Sequence, residues 1–219
     1  MCVPAMVPMG PRLMGNMSSE AEFMVKAYPA RMEMKYFLER KPTVGFRLLD
    51  EADLKGKYIL DIGAFAGYVG WYCQQKGATA IITDIFCTAM PTFLMGMVAD
   101  KEHLQFKDGT FDFVVCNDVL HHGDLMQTGR EARRVLKEGG IFISTQEPCI
   151  SSLESEETVL RKDCAEQVAA GIDERRPNIK QYTEFCMLFR EWKIHACHDW
   201  SPARDLNYGG DGVAIWCRK

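Results

Sequence analysis

Positions 58–62 are an almost unbroken apolar run, a glycine-bearing turn follows from Gly63 to Gly67, and a second apolar run ends on Asp84. Short runs of this kind between turn residues read as buried strands, and the stretch between them has helix length. Residues 58–84 therefore predict a β-α-β unit, with strands Tyr58 to Ile62 and Thr79 to Asp84. The alternation continues along the chain. Phe113 to Asn117 predicts another strand, the stretch around Glu131 a helix stopped by Gly139-Gly140, and Ile141 to Thr145 a further strand. Thr183 to Glu191 predicts a last helix, followed by strands Lys193 to Cys197 and Val213 to Cys217 around the turn Asn207 to Gly212. Strands alternating with helices point to an α/β architecture.

The N-terminal part reads differently. Pro4, Pro8 and Pro11 interrupt any apolar segment, so residues 1–18 are expected to be a flexible tail and not a signal peptide. Ser18-Ser19-Glu20 can cap a helix from near Ala21, Pro29 breaks it, and a second piece runs to about Arg40. A short helix is expected from Thr43 to Asp50. Between Asp84 and Asp100 a helix of about two turns and a third strand must fit. Met90, Met95 and Met97 there look like gap-filling core.

A β-α-β unit brings backbone N–H groups to the first strand's end and a carboxylate to the second's, which suits an adenosine-containing cofactor. The glycines narrow the choice. A dinucleotide site wants G-x-G-x-x-G so that a pyrophosphate can touch the backbone, but Phe65 occupies the second-glycine position. What remains is D-x-G-x-x-x-G, carried by Asp61, Gly63 and Gly67. This motif resembles the first motif of the class I S-adenosylmethionine-dependent methyltransferases, small-molecule type, which often carry a further glycine where Phe65 stands. The resemblance extends through Leu104-Gln105-Phe106, Asp108-Gly109, Phe111-Asp112, Val119-Leu120-His121-His122, Glu131, Arg134-Val135-Leu136-Lys137 and Gly139-Gly140.

The resemblance implies a three-layer αβα fold around a seven-stranded, mostly parallel Rossmann-like sheet with an antiparallel final strand. It implies S-adenosylmethionine as cofactor and S-adenosylhomocysteine as product. Asp61, Gly63, Ala64 and Gly67 would wrap the methionine end and ribose. Asp84, with Ile85 beside it, would accept the ribose hydroxyls, and Asp100, followed by Lys101, would reach the adenine amino group. Asn117 would stand beside the methionine moiety through its backbone. Residues 57–147 are then the cofactor-binding core of a single domain spanning 19–219. The helices of 19–50 would form a lid, where Tyr28 and Tyr36 either line the site or pack the core. Residues 149–182 would shape the acceptor pocket.

Composition limits the acceptor. A chain of 219 residues suits one α/β domain, and 47% hydrophobic with 26% charged residues is ordinary for a globular protein. A net charge of −4 argues against nucleic acid as partner. Arg130, Arg133, Arg134 and Lys137 cluster, but interleaved Glu131 and Glu138 make a solvated helix face the better reading. No apolar run approaches the roughly 20 residues of a membrane span. Nine cysteines without a C-x-x-C pair fit reduced thiols in a cytoplasmic protein, with Cys73, Cys116 and Cys217 as small buried hydrophobes.

In open α/β sheets the ligand sits beyond the carboxyl ends of the strands, which singles out Asp118, His121, His122, Glu147 and Cys149. His122 and Glu147 are the catalytic candidates. Imidazole is the natural base near neutral pH, and Glu147 can accept a proton or anchor an amine. The bland alternatives are packing for His122 and a turn role before Pro148 for Glu147. Neighbouring side chains alternate, so only one of His121 and His122 is expected to face the cofactor. No metal is expected: His195 and Cys197 share a strand face that His198 leaves, and Asn117, Asp118 and Asp124 match no magnesium motif. The expected activity is in-line methyl transfer to an O, N or S atom of a small-molecule acceptor. A catalytically silent binding or partner subunit is the alternative.

Overall fold

The structure is a computed structural model that describes residues 44–85, 94–150, 165, 169, 175–197 and 212–219. The expected tail, the helices with Tyr28 and Tyr36, Met90, most of 149–182, His198 and the turn before Gly212 lie outside these residues.

The strands are β1 (Tyr58–Ile62), β2 (Thr79–Asp84), β3 (Met95–Val98), β4 (Phe111–Cys116), β5 (Leu136–Pro148), β6 (Glu191–Cys197) and β7 (Gly212–Arg218). The helices are α1 (Val44–Glu51), α2 (Tyr68–Gln75), α3 (Leu125–Val135) and α4 (Ile179–Cys186). One seven-stranded sheet runs in the order β3-β2-β1-β4-β5-β7-β6. Its first five members are mutually parallel, and β7 is antiparallel to both neighbours. The expected Rossmann-like architecture is borne out.

Both sheet faces are covered, which is why the strands read as continuous apolar runs. Leu60, Ile62, Val114, Cys116 and Phe142 face one layer with Ala132 and Val135 of α3 and Tyr182 and Phe185 of α4. Ile59, Phe113, Val115 and Ile143 face the other, with Phe46 and Leu49 of α1 and Val69 and Cys73 of α2. Phe111 and Phe113 are two residues apart yet belong to different core clusters, and the β4–β5 register shifts between them. Cys73, Cys116 and Cys217 are fully buried, as expected.

Three expectations need correction. The helix after β4 ends at Val135, because Leu136 pairs with Phe111 and is drawn into β5. The last helix starts at Ile179, four residues early, where Asn178 and Gln181 form a reciprocal capping box. Met95 is not core: it stands 53% exposed on edge strand β3, while Met97 does pack against buried residues.

Strand order reverses between β1 and β4, where Ile62 pairs with Cys116. The crevice beyond the carboxyl ends of these two strands is the ligand position of an open α/β sheet.

Candidate functional site

The loop after β1 is held by its own backbone and by two carboxylates. Ala64 N–H donates to Thr83 O at 2.9 Å, and Gly67 N–H to Ala64 O at 2.7 Å. Gly63 has φ 61°, and a Cβ there would lie 2.1 Å from Cγ2 of Val119. Glycine is thus required for the β1 loop to lie against the chain leaving β4. Gly67 caps α2 from the left-handed region, at φ 73°. Phe65 also has positive φ, 46°, so a bulky residue holds a conformation suited to glycine. Its N–H donates to Oδ2 of Asp84 at 2.7 Å, a charge-assisted bond that offsets the strain.

Asp61 reaches the same loop from below. Its Oδ2 accepts from Gly70 N–H at 2.7 Å, inside the first turn of α2. Gly70 has no motif signal of its own in the sequence. A Cβ there would meet Cγ2 of Ile82 at 2.5 Å and Oδ2 of Asp61 at 3.2 Å, so this glycine seats α2 on the sheet. Asp61 is 1% exposed, and among the described residues its Oδ1 has no hydrogen-bond partner. Burial pushes its carboxyl up to about 8, against the opposing effect of the Gly70 bond and with some help from Asp84. Asp84 itself is buried, and Ile85 after it is half-buried.

Asp100 and Lys101 follow β3. Asp100 Oδ1 accepts from Glu102 N–H at 2.8 Å, and Lys101 Nζ donates to the carbonyl of His122. Glu102 extends the joint: its Oε1 accepts from Asp124 N–H at 2.7 Å, and its carbonyl from Nε2 of Gln127 at 3.1 Å. Gly123 stands at φ 70°, where glycine is favoured, and a Cβ there would lie 2.1 Å from Glu102 Oε1, so the two segments approach closely at this point. The expected adenine-side residues are therefore joined to the loop after β4. Asp124 is the N-cap of α3, accepting from Gln127 N–H.

That loop is organised by Glu147, which is fully buried on β5. Its Oε1 accepts from Val119 N–H at 3.2 Å and Ser144 Oγ at 3.0 Å, and its Oε2 from Leu120 N–H at 3.0 Å. Oε2 also meets Nδ1 of His121 at 3.2 Å, and Asp118 Oδ1 lies 3.8 Å from the same nitrogen. Asp118 has positive φ, 56°. Asn117 Oδ1 accepts from Thr145 Oγ1 at 2.6 Å, which fixes its side chain against β5. The histidines depart from expectation. The chain turns here, with His122 N–H donating to Val119 O, so the neighbouring rings lie side by side with centroids 4.1 Å apart. Strand alternation does not govern a turn.

Arg134 also departs from the solvated-face reading. It pairs with both oxygens of Glu131 at 2.8 Å and donates to the carbonyls of Leu104 and Phe106 and to Asp108, each at 2.7 Å. Lys137 pairs with Asp112 at 2.9 Å. Among the described residues no group of His, Cys, Asp and Glu forms a metal-binding cluster, and no helix is long and apolar enough to cross a membrane.

Residues 60–144 match the family described as "Methyltransferase domain". Over this stretch the chain is similar to a methyltransferase domain, and the sheet built around it has the Rossmann-like order of the class I fold. The matched stretch runs from β1 into β5 and contains the Asp61–Gly67 loop, Asp84, Asp100 and the histidine pair. Among relatives, mouse mitochondrial arginine-hydroxylase NDUFAF5 is 30% identical over 156 residues, covering 64% of this chain and 45% of that protein. Malonyl-[acyl-carrier protein] O-methyltransferase 1 of Coxiella burnetii is 30% identical over 108 residues, covering 46% of this chain and 38% of its own. The chain spans less than half the length of these curated relatives. In fold, the chain resembles an S-adenosylmethionine-dependent methyltransferase from Mesorhizobium loti, with TM-score 0.58, 15% identity, and coverage of 80% of this chain and 97% of that one.

Proposed function

We propose that this protein binds S-adenosylmethionine and transfers its methyl group, by in-line displacement, to an O, N or S atom of a small-molecule acceptor. The observation that carries the reading is Asp61: a buried carboxylate at the carboxyl end of β1 with one oxygen pinned and the other without a partner. A buried polar atom in this state is costly and suits a site that gains a donor on binding. The cofactor's amino group is such a donor. Asp84, held at the loop through Phe65, would accept the ribose hydroxyls, with Ile85 beside it. Gly63, Ala64 and Gly67 would give the cofactor a close approach to backbone. Asp100 would reach the adenine amino group and Lys101 would fix that side to the His122 carbonyl. Asn117 would contribute through its backbone.

When bound, the cofactor supplies a methyl activated by a neutral thioether leaving group. The chain's own task is to orient the acceptor and exclude water. His122 would stand on the acceptor side, with Glu147 fully buried behind the same loop, and residues 149–182 would shape the pocket. A net charge of −4 favours a small molecule over nucleic acid. The mouse relative is an arginine-hydroxylase by name, which supports a second reading, in which the domain binds the cofactor without transferring its methyl.

Calorimetric titration with S-adenosylmethionine and S-adenosylhomocysteine tests the proposal. Micromolar binding of both is expected, roughly −8 kcal/mol. Binding without turnover on any acceptor would favour the second reading, and no binding would refute both.

A further inference from the structure

The segment after β3 and the loop after β4 are distant in the chain, yet a continuous seam joins them along α3. Glu102 Oε1 accepts from Asp124 N–H at the start of α3, and its carbonyl accepts from Gln127 in the first turn. Two residues on, Leu104 N–H donates to Oε2 of Glu131 at 2.8 Å, and the carbonyls of Leu104 and Phe106 accept from Arg134 in the last turn. The two ends of the seam are built differently. At the far end the Arg134 guanidinium is shared among Glu131, Asp108 and two carbonyls, a charge-assisted set that needs no ligand. At the near end stand Asp100, Lys101 and Glu102, all half-buried. Asp100 Oδ1 takes the N–H of Glu102, and its Oδ2 has no hydrogen bond among the described residues. The loop after β4 is divided in the same way. Its first part, Val119 and Leu120, is held from β5 by buried Glu147. Its second part is tied to the near end of the seam, where Lys101 Nζ donates to the His122 carbonyl and Glu102 accepts from Asp124 N–H.

We infer that Glu102, with Lys101 beside it, is a positioning residue: adenine held at Asp100 fixes the second part of the loop after β4, so that the acceptor side is completed only when the cofactor is in place. This rests on the cofactor reading above and adds an order to it, cofactor before acceptor. The physical route is short. A ligand on Asp100 pins the carboxylate that already holds the Glu102 N–H, in a turn closed by His103 N–H on the Asp100 carbonyl. The stiffened turn then presents the Glu102 carboxylate and the Lys101 ammonium to their partners with less conformational freedom left to lose. The Asp124 amide is the direct reporter, since its bond to Glu102 must open before the proton can exchange. The His122 amide is an indirect one, because its own bond runs to Val119 O and does not involve Glu102. The Val119 and Leu120 amides, held by Glu147, are the internal control. By linkage, an acceptor seated against the loop would in turn tighten the cofactor.

Hydrogen exchange of the full chain, read by NMR for single amides, tests the inference with S-adenosylhomocysteine, adenosine and homocysteine as separate probes at saturating concentration. S-adenosylhomocysteine is expected to slow exchange of the Asp124 amide roughly 10-fold or more, the scale of one hydrogen bond to a charged group. His122 should slow with it, and Val119 and Leu120 should change little. Adenosine alone should reproduce the effect, and homocysteine alone should not. Glu102→Ala should still bind S-adenosylhomocysteine, because the backbone N–H on Asp100 remains, yet lose most of the His122 response. Glu102→Gln, whose side-chain oxygen still accepts, should keep it. A Glu102 that only braces the fold would leave Asp124 and His122 exchanging alike with and without ligand in the wild type, and that result overturns the inference. An undiminished His122 response in Glu102→Ala, or a response to homocysteine in place of adenosine, overturns it too. If Glu102→Ala does not fold, Gly123→Ala, whose Cβ would displace the same carboxylate, is expected to lose the response, and the wild-type comparison of adenosine with homocysteine decides in any case. Failure of the wild type to bind S-adenosylhomocysteine is a different result and rejects the cofactor reading itself.

Discussion

Asp61 and Glu147 are both buried carboxylates at the carboxyl end of the sheet, 1% and 0% exposed, yet their surroundings are opposite. Glu147 collects two backbone N–H groups, a hydroxyl and an imidazole, so every lone pair facing the loop is answered. Asp61 has one N–H on Oδ2 and none on Oδ1. A saturated buried carboxylate is part of the scaffold, whereas a half-saturated one carries a desolvation cost that a ligand can relieve. The contrast separates the part of the site that is finished from the part that waits.

Removing the saturated carboxylate should do the most damage. Glu147→Ala would leave two backbone donors and a histidine without their acceptor, and an expected loss of about 3–5 kcal/mol in stability is measurable by urea unfolding. A loss below about 1 kcal/mol would mean that the loop does not depend on it. Asp84→Ala should act on binding instead. A weakening of about 1.5–3 kcal/mol, or roughly 10–100-fold in S-adenosylhomocysteine Kd, is expected from lost charged hydrogen bonds, and unchanged affinity would remove Asp84 from the site.

The half-saturated carboxylate predicts a pH effect. Burial raises the Asp61 carboxyl from its ordinary 3.8 to about 8 in the folded protein. The folded state therefore binds this proton more tightly than the unfolded chain. The stability that Asp61 contributes is complete below about pH 4 and is lost as pH rises toward 8, at up to about 1.4 kcal/mol per pH unit. Asp61→Asn should remove that slope, so unfolding free energies of the variant between pH 5 and pH 8 should converge. An unaltered slope would show that Asp61 ionises normally. The smallest effect is expected from Phe65→Gly. Relief at φ 46° and loss of ring packing oppose each other, leaving stability within about 1 kcal/mol, readable as a small shift in Tm.

Much of this was legible in the chain. The bounds of β1 and β2 follow directly from apolar runs closed by turn residues, and Asp61, Gly63 and Gly67 carried the family resemblance. The helix from Ile179 has a local signal as well, the Asn178–Gln181 cap, which stands ahead of the Thr183 start expected from the sequence. Other features depend on what lies across space. Gly70 looks like any helical glycine until Ile82 and Asp61 are known to sit beneath it. Arg134 looks solvated until the Leu104 and Phe106 carbonyls arrive from a segment distant in sequence. The pairing of Glu147 with His121 likewise needs β5 beside the loop after β4.

The buried thiols give this molecule internal clocks. Cys116, Cys186 and Cys217 lie in one core layer and Cys73 in the other, all four fully buried, and burial holds the thiols of Cys73, Cys116 and Cys217 above their ordinary range. An alkylating reagent needs an accessible thiolate, so these sulfurs should react only when their own layer parts. Half-buried Cys149 should label before these four and calibrate the reagent. Mass spectrometry of the partly labelled protein would then report the order in which the two faces of the sheet come undone, without a single substitution.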